Sequence, residues 1–407
     1  MNKQRREESE NVNKVVSAYL EEHKRLFPEF IQKDDAMWDL FEQKAAIPGI
    51  RSYVAHKLYT LSGGQEWETL FGPLLGIIEM SIISSYATNR VFDKKSGGKT
   101  DIDAMKSIMT SALARDGIYH MLHVYYDPEL INRLHLWHEI SDIQRWFYLG
   151  QYINSFRNIL PLVIREQNEI QSLPAGFEYV LKLKGKVEAL LHDNIAGLSG
   201  AEIQVLTSNQ FLRLYLINAH FYERFASLSV RMSKSISDDQ ESLLNGFGAL
   251  YGVGTQIIND VIDFALPSMG LRCAAKSAED FFSDLRNMTI TFPMIFGLYS
   301  KKGGGKKEMF SDCYYNIEKK ELSDSQKEKL LYYLLESKSI QISLKIASLC
   351  LEEAKKCLNE SLVLIPDNAL MDIFRISHES RFVVNMFRWY RGQRRSRIEV
   401  AKTCQTA

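Results

Sequence analysis

Apolar residues recur every three or four positions along most of this chain, the period of helices rather than strands. Residues 1 to about 30 predict a charged, amphipathic leading helix. Ile47-Pro48-Gly49-Ile50-Arg51 breaks the pattern before the next one. From 52 to 92 the period is helical, interrupted at Ser62-Gly63-Gly64, and a polar loop, Lys-Lys-Ser-Gly-Gly-Lys-Thr, fills 94–100. Helical periodicity resumes at Asp101 and runs with short breaks to about 235. Asp238-Asp239-Gln240-Glu241 marks the acidic first turn of a helix that runs to Phe264, and Leu266-Pro267-Ser268-Met269-Gly270 ends it. Lys-Lys-Gly-Gly-Gly-Lys-Lys at 301–307 reads as a flexible connector. It lacks the Gly-Lys-Ser/Thr ending and the preceding strand of a phosphate loop. Helices fill the rest, ending in a basic tail at 388–397. There is no alternating block long enough for a sheet and no internal repeat. The pattern predicts an all-α protein: an N-terminal helical extension over 1–40, then one large helical bundle around a central apolar cavity over 41–407.

Composition narrows the classes of partner. Nine prolines in 407 residues suit long helices. Lys+Arg (50) equals Asp+Glu (50), so net charge argues for no nucleic-acid or anionic-membrane partner. The N-terminus, Met-Asn-Lys-Gln-Arg-Arg-Glu-Glu-Ser-Glu, lacks the apolar core of a signal peptide. The longest apolar stretch, 70–87, contains Pro73, Glu79 and several serines, and reads as a buried helix, not a transmembrane segment. Cys273, Cys313, Cys350, Cys357 and Cys404 are scattered without a CxxC pair, which fits free thiols in a reducing, cytoplasmic setting.

The strongest chemical signal is Gly254-Thr255-Gln256-Ile257-Ile258-Asn259-Asp260-Val261-Ile262-Asp263-Phe264. Residues three and four apart share a helix face, so Asp260 and Asp263 point the same way and Asn259 lies over Asp263. Two carboxylates and an amide oxygen are hard ligands suited to Mg²⁺. The flanking Val253, Ile257, Ile258, Val261 and Ile262 are apolar, and carboxylates beside a core are costly without a counter-charge. An ordinary polar face of a half-buried helix is the plainer alternative.

Several segments, in order over roughly residues 45 to 295, resemble the trans-isoprenyl diphosphate synthase family, part of the class I isoprenoid synthases that include terpene cyclases. Gly252 or Gly254, Thr255-Gln256 and Asn259-Asp260-x-x-Asp263 stand where that family has a Gly, Phe-Gln and its second aspartate-rich motif. Lys276, Asp284-Leu285-Arg286 and Thr291-Phe292-Pro293 follow in the family's order, and Leu113-Ala114-Arg115-Asp116 looks like its Leu-Ala-Gly-Asp segment. Glu79 is followed ten residues later by Asn89-Arg90-Val91-Phe92-Asp93, in the place of the first aspartate-rich motif. The loop 94–100 and Gly49-Ile50-Arg51 also fall in register.

The departures carry information. The first motif keeps only Asp93, with Asn89 and Arg90 in place of the other aspartates. Ile50, Ile82 and Thr289 stand where the family has Lys, His and Lys, and Arg224 is the nearest candidate for the Lys of a central Lys-Thr pair. Several lost groups hold isopentenyl diphosphate in the family. The resemblance therefore implies an enzyme that ionises an allylic prenyl diphosphate, with chain elongation weakened. It implies Mg²⁺ held by Asp93, Asn259, Asp260 and Asp263, with Asp93, Asp260 and Asp263 as the catalytic carboxylates. It assigns Arg51, Arg90, Lys94, Lys95, Arg224, Gln256 and Lys276 to substrate binding, and from resemblance alone a homodimer. Asp93 is either the surviving metal ligand or half of an i,i+3 pair with Arg90. A terpene synthase acting on C15 or longer substrates is the leading reading, with the small Ser84 and Ser85 before the first motif as its hint at chain length. Prenyl transfer to isopentenyl diphosphate or another acceptor, and a non-catalytic partner subunit, are the alternatives. His120, His123, His135 and His138 sit in helically spaced pairs, but a zinc site needs more converging ligands.

Overall fold

The computed structural model describes residues 3–34, 38–42, 49–92, 101–155, 173–266, 269, 281–287, 289–302, 305–316, 322–362, 373–374 and 383–394. The longer helices, in chain order, are α1 (Lys3–Lys24), α2 (Ile50–Leu61), α3 (Gly72–Phe92), α4 (Asp101–Tyr125), α5 (Leu136–Ser155) and α6 (Gly200–Leu214). A π-helical turn, Tyr215–Ala219, leads into α7 (His220–Ser233) and α8 (Asp238–Ile262). Then come α9 (Phe292–Tyr299), α10 (Gly305–Asn316), α11 (Asp324–Glu336) and α12 (Ser339–Ser361). The only β pairing among the described residues is one isolated antiparallel bridge, Ile195 to Ser300. The all-α expectation holds. No helix among the described residues is long and apolar enough to cross a membrane.

The chain divides into two compact units. The first comprises Met1–Lys182, Phe211–Val253 and Cys350–Arg375; the second comprises Leu183–Gln210, Gly254–Leu349 and Ile376–Ala407. In the first, α3 is the buried axis, as its apolar sequence predicts. Leu74, Leu75, Ile77, Ile78, Met80 and Ile83 are all sealed from solvent, and α4 packs along it. α1 presents Val12, Val16 and Leu20, spaced by four, to the same core. Its last turn is tied down by His23 Nε2 at 2.9 Å from the Leu113 carbonyl. The leading helix is thus a wall of the first unit.

The second unit is built around Val261, Phe264, Phe282, Leu285, Met294, Leu330 and Leu334. α9 (Phe-Pro-Met-Ile-Phe-Gly-Leu-Tyr) is apolar all round, and carbonyls of its last turn find partners outside it: Gly297 O accepts the Tyr333 hydroxyl at 2.7 Å and Tyr299 O accepts Ala196 N at 2.8 Å. α11 starts at a capping box, in which Ser323 and Gln326 satisfy each other's backbone amides. The glycine-rich stretch expected to be a connector differs in part. Lys301 and Lys302 lie in a bend, but α10 already begins at Gly305. Trp389 and Tyr390 of the basic tail pack on this core, with Tyr390 5.2 Å from the Tyr332 ring.

Candidate functional site

In the second unit the site lies on the last turns of α8. Asp260 and Asp263 are both buried, Gln256 and Asn259 half-buried. Gln256 Nε2 donates to Asp260 Oδ1 at 2.8 Å, one helical turn away, which fixes that carboxylate's orientation. Asp263 does different work. Its Oδ1 accepts from Ser283 N at 3.2 Å and Ser283 Oγ at 2.8 Å, and its Oδ2 from Asp284 N at 3.0 Å. Its own carbonyl accepts Phe282 N at 2.7 Å, so Asp263 caps the turn Ser283–Arg286. That turn is entered through Phe282 at φ +59°, a left-handed conformation uncommon for a bulky residue and held here by the double tether.

The sequence places Asn259, Asp260 and Asp263 on one helix face; α8 carries Asn259 and Asp260, and Asp263 follows its last residue, Ile262, with its N–H donating to the Asn259 carbonyl at 3.0 Å. No group of three His, Cys, Asp or Glu side chains able to hold a metal converges among the described residues. Mg²⁺ often takes only one or two protein carboxylates, with water and substrate phosphate completing its shell. Asp260 fits such a singly anchored ion, and the Asp263 carboxylate, which accepts two hydrogen bonds at Oδ1 and one at Oδ2, keeps at most one lone pair, on Oδ2.

In the first unit, Arg51 sits in the opening turn of α2 and faces inward. Its Nη2 donates to Asn218 Oδ1 at 2.5 Å, and its guanidinium lies 5.5 Å from the Tyr222 ring and 5.8 Å from the Phe221 ring. Burial works against its charge, but Tyr222, Tyr86 and Glu79 outweigh that and hold its pKa above the usual value. Glu79, sealed in the core, accepts the Ser52 hydroxyl, and its Oε2 has no hydrogen-bond partner. Gly49 makes room for it: a Cβ there would fall 1.8 Å from Glu79 Oε1. Arg51 also lines a small crevice with Val54, Ala55, Phe221, Tyr222 and Phe225.

Of the other predicted binding residues, Arg224 and Arg90 are engaged in ion pairs. Arg224 reaches Glu139 Oε2 at 3.5 Å and Asp142 Oδ2 at 4.0 Å, in a network that Arg231 extends to Glu139 at 2.7 Å and Glu241 at 3.3 Å. Arg90 pairs with Asp39 at 3.3 Å. Asp93, Lys94, Lys95 and Lys276 lie outside the described residues. Ser84 is buried, and its hydroxyl meets Ser111 Oγ at 2.9 Å and Tyr148 Oη at 3.1 Å.

Two groups escaped the sequence reading. Asn218 is one. The other is Glu223, buried beneath the π-helical turn, where it accepts the Tyr215 hydroxyl and Gly176 N at 3.2 Å. Burial pushes its carboxyl up to about 7, against the pull of those bonds and of Arg224. Its one available signal was a lone acid in an apolar stretch, Phe221 to Phe225.

No protein-family model matches the chain, and no curated protein matches it in sequence. Solved structures do match. A geranylgeranyl pyrophosphate synthase from Corynebacterium glutamicum, complexed with isoprenyl diphosphate and magnesium, is 12% identical with a TM-score of 0.63, over 93% of this chain and 98% of that one. A polyprenyl synthase from Caulobacter crescentus, complexed with calcium and isoprenyl diphosphate, is 13% identical with a TM-score of 0.60, over 93% and 95%. A heptaprenyl diphosphate synthase from Staphylococcus aureus is 16% identical with a TM-score of 0.56, over 91% and 97%. The fold is that of the class I isoprenoid synthases. Within that class it is the fold of the trans-isoprenyl diphosphate synthases, matched over nearly the whole length of each of these structures.

Proposed function

We propose that this protein is a class I isoprenoid enzyme that binds an allylic prenyl diphosphate with Mg²⁺ and ionises it, as a terpene synthase does, with substrates of C15 or longer. The observation that carries the reading is Asp260, a buried carboxylate aimed by Gln256, at the end of α8 in a chain with the isoprenoid synthase fold. Mg²⁺ bound there would neutralise the charge that gathers on departing diphosphate. The chain's own part is to fix Asp260 through Gln256 and to hold the 281–287 turn beside it through Asp263. Arg51, tied to Asn218 and flanked by rings, is not offered to a second diphosphate, which favours ionisation without an isopentenyl acceptor.

Two other readings keep a specific support. Condensation with isopentenyl diphosphate is favoured by what the similar structures are named for. A regulatory subunit is favoured by the capping work of Asp263. The assembly we propose is a homodimer through α4, whose outer face exposes Ile102, Met105, Ile108, Met109 and Tyr119. Incubating the purified protein with Mg²⁺ and farnesyl or geranylgeranyl diphosphate, alone, tests the reading: a hydrocarbon or terpene alcohol is expected, and is lost in Asp260→Asn. No turnover of any allylic diphosphate would overturn it.

A further inference from the structure

Building on this reading, we propose that Asn218 is a specificity-determining residue: carried on the π-helical turn, it holds the Arg51 guanidinium inside the first unit and withholds it from a second diphosphate.

Tyr215–Ala219 is π-helical within an otherwise continuous run from α6 to α7. A π-turn accommodates one extra residue and rotates the side chains it carries, and such turns concentrate at functional sites. This one turns Asn218 towards two partners at once. Oδ1 accepts Arg51 Nη2 at 2.5 Å, and Nδ2 donates to the Gly252 carbonyl at 2.8 Å. With both ends of the amide used, Asn218 has one orientation, and its oxygen faces Arg51. A Cβ on Gly252 would fall 2.4 Å from Ala219 Cα, so the glycine lets α8 approach closely enough for this bond.

Arg51 is held from its other sides too. The rings of Phe221 and Tyr222 flank it, Glu79 balances its charge, and its Nε is buried without a hydrogen-bond partner. Every other residue lining the adjacent crevice is uncharged: Val54, Ala55, Leu58, Phe221, Tyr222, Phe225 and Ala226. A diphosphate binds through several charge-assisted bonds. At this crevice it would meet one cation, already committed, and apolar walls.

The probe is isopentenyl diphosphate in EDTA, followed by isothermal titration calorimetry. Removing Mg²⁺ silences the carboxylate site on α8, so the heat reports only direct contact with cationic side chains. Wild-type protein and Arg51→Gln should bind equally weakly. Asn218→Ala, or the milder Asn218→Ser if alanine unfolds the turn, should free Arg51 and raise affinity at least about tenfold, on the order of 1.4 kcal/mol. The gain should vanish in the double variant with Arg51→Gln. Asn218→Asp, which strengthens the hold, should show no gain. An unchanged affinity in both Asn218→Ala and Asn218→Ser would overturn the proposal. So would wild-type binding that Arg51→Gln abolishes, because Arg51 would then already serve a diphosphate. Turnover of allylic substrates with Mg²⁺ is read separately, so failure of the enzyme reading and failure of this one are distinct results.

Discussion

Glu223 offers a pH test with a defined sign. Its carboxyl is sealed in the first unit and titrates near 7 in the folded chain, against an ordinary value of 4.5, chiefly because burial penalises its charged form. The unfolded chain releases this proton from about 4.5 upward, whereas the folded chain keeps it until about 7. Between those values the folded state binds more protons, so this group's contribution to stability falls as pH rises, then stays constant above 7. The shift from 4.5 to about 7 corresponds to about 3 kcal/mol of penalty at alkaline pH. Glu223→Gln keeps an acceptor for Gly176 N and presents an amide to the Tyr215 oxygen, without the charge. Urea denaturation of both proteins from pH 5 to pH 8.5 isolates the effect. His56 and His220, both lowered to about 4 by burial, titrate alike in the two and cancel. The variant should match wild type at pH 5 and exceed it at pH 8.5 by up to about 3 kcal/mol. A difference that does not change with pH would refute the reasoning, because it would mean that Glu223 is ionised in the folded state throughout.

Three further expectations follow from named contacts. Asp263→Ala strands Ser283 N and Asp284 N and should cost about 2–4 kcal/mol of stability by thermal unfolding, whereas Asp260→Asn should melt near wild type while losing Mg²⁺-dependent turnover. Gly248→Ala places a Cβ 2.3 Å from Glu223 Cα, a backbone clash that only a helix shift relieves; it should destabilise by about 2 kcal/mol or more, while Gly185→Ala, with nothing within 4 Å, should be neutral or better in the same melt. Met105→Glu puts a charge on the exposed face of α4 and should shift a homodimer to monomer in light scattering, with the melting temperature of the monomer unchanged.

How far the sequence could be read depended on the range of the interaction. The burial of α3 follows from local periodicity, and the structure agrees; α2 begins at Ile50, within the break read over 47–51. The helix expected to reach Phe264 stops at Ile262, and tight turn bonds from Phe264 N and Ala265 N carry the chain out of it. Ligands and caps are drawn from the same residue types, so the sequence marks Asp263 as a ligand without showing that it also caps. The capping depends on Ser283 and Asp284, whose amides come from a segment some twenty residues away, joined by no periodic pattern. Arg51 was legible as a cation beside a break, but its partner Asn218 lies 167 positions on, in a π-turn that leaves no mark on the hydrophobic period. α1 reads from sequence as a charged, amphipathic helix, but which core its apolar face joins is not local information. Its three core residues, Val12, Val16 and Leu20, make a narrow stripe among its charges.

The central claim is that the chain ionises an allylic diphosphate without needing isopentenyl diphosphate. The most direct measurement is mass spectrometry of products after incubation with Mg²⁺ and geranyl, farnesyl or geranylgeranyl diphosphate, each with and without isopentenyl diphosphate. The account predicts a hydrocarbon or terpene alcohol in the tubes that lack isopentenyl diphosphate. A longer prenyl diphosphate formed only when isopentenyl diphosphate is present would contradict it, and so would no product in any tube from protein shown to be folded.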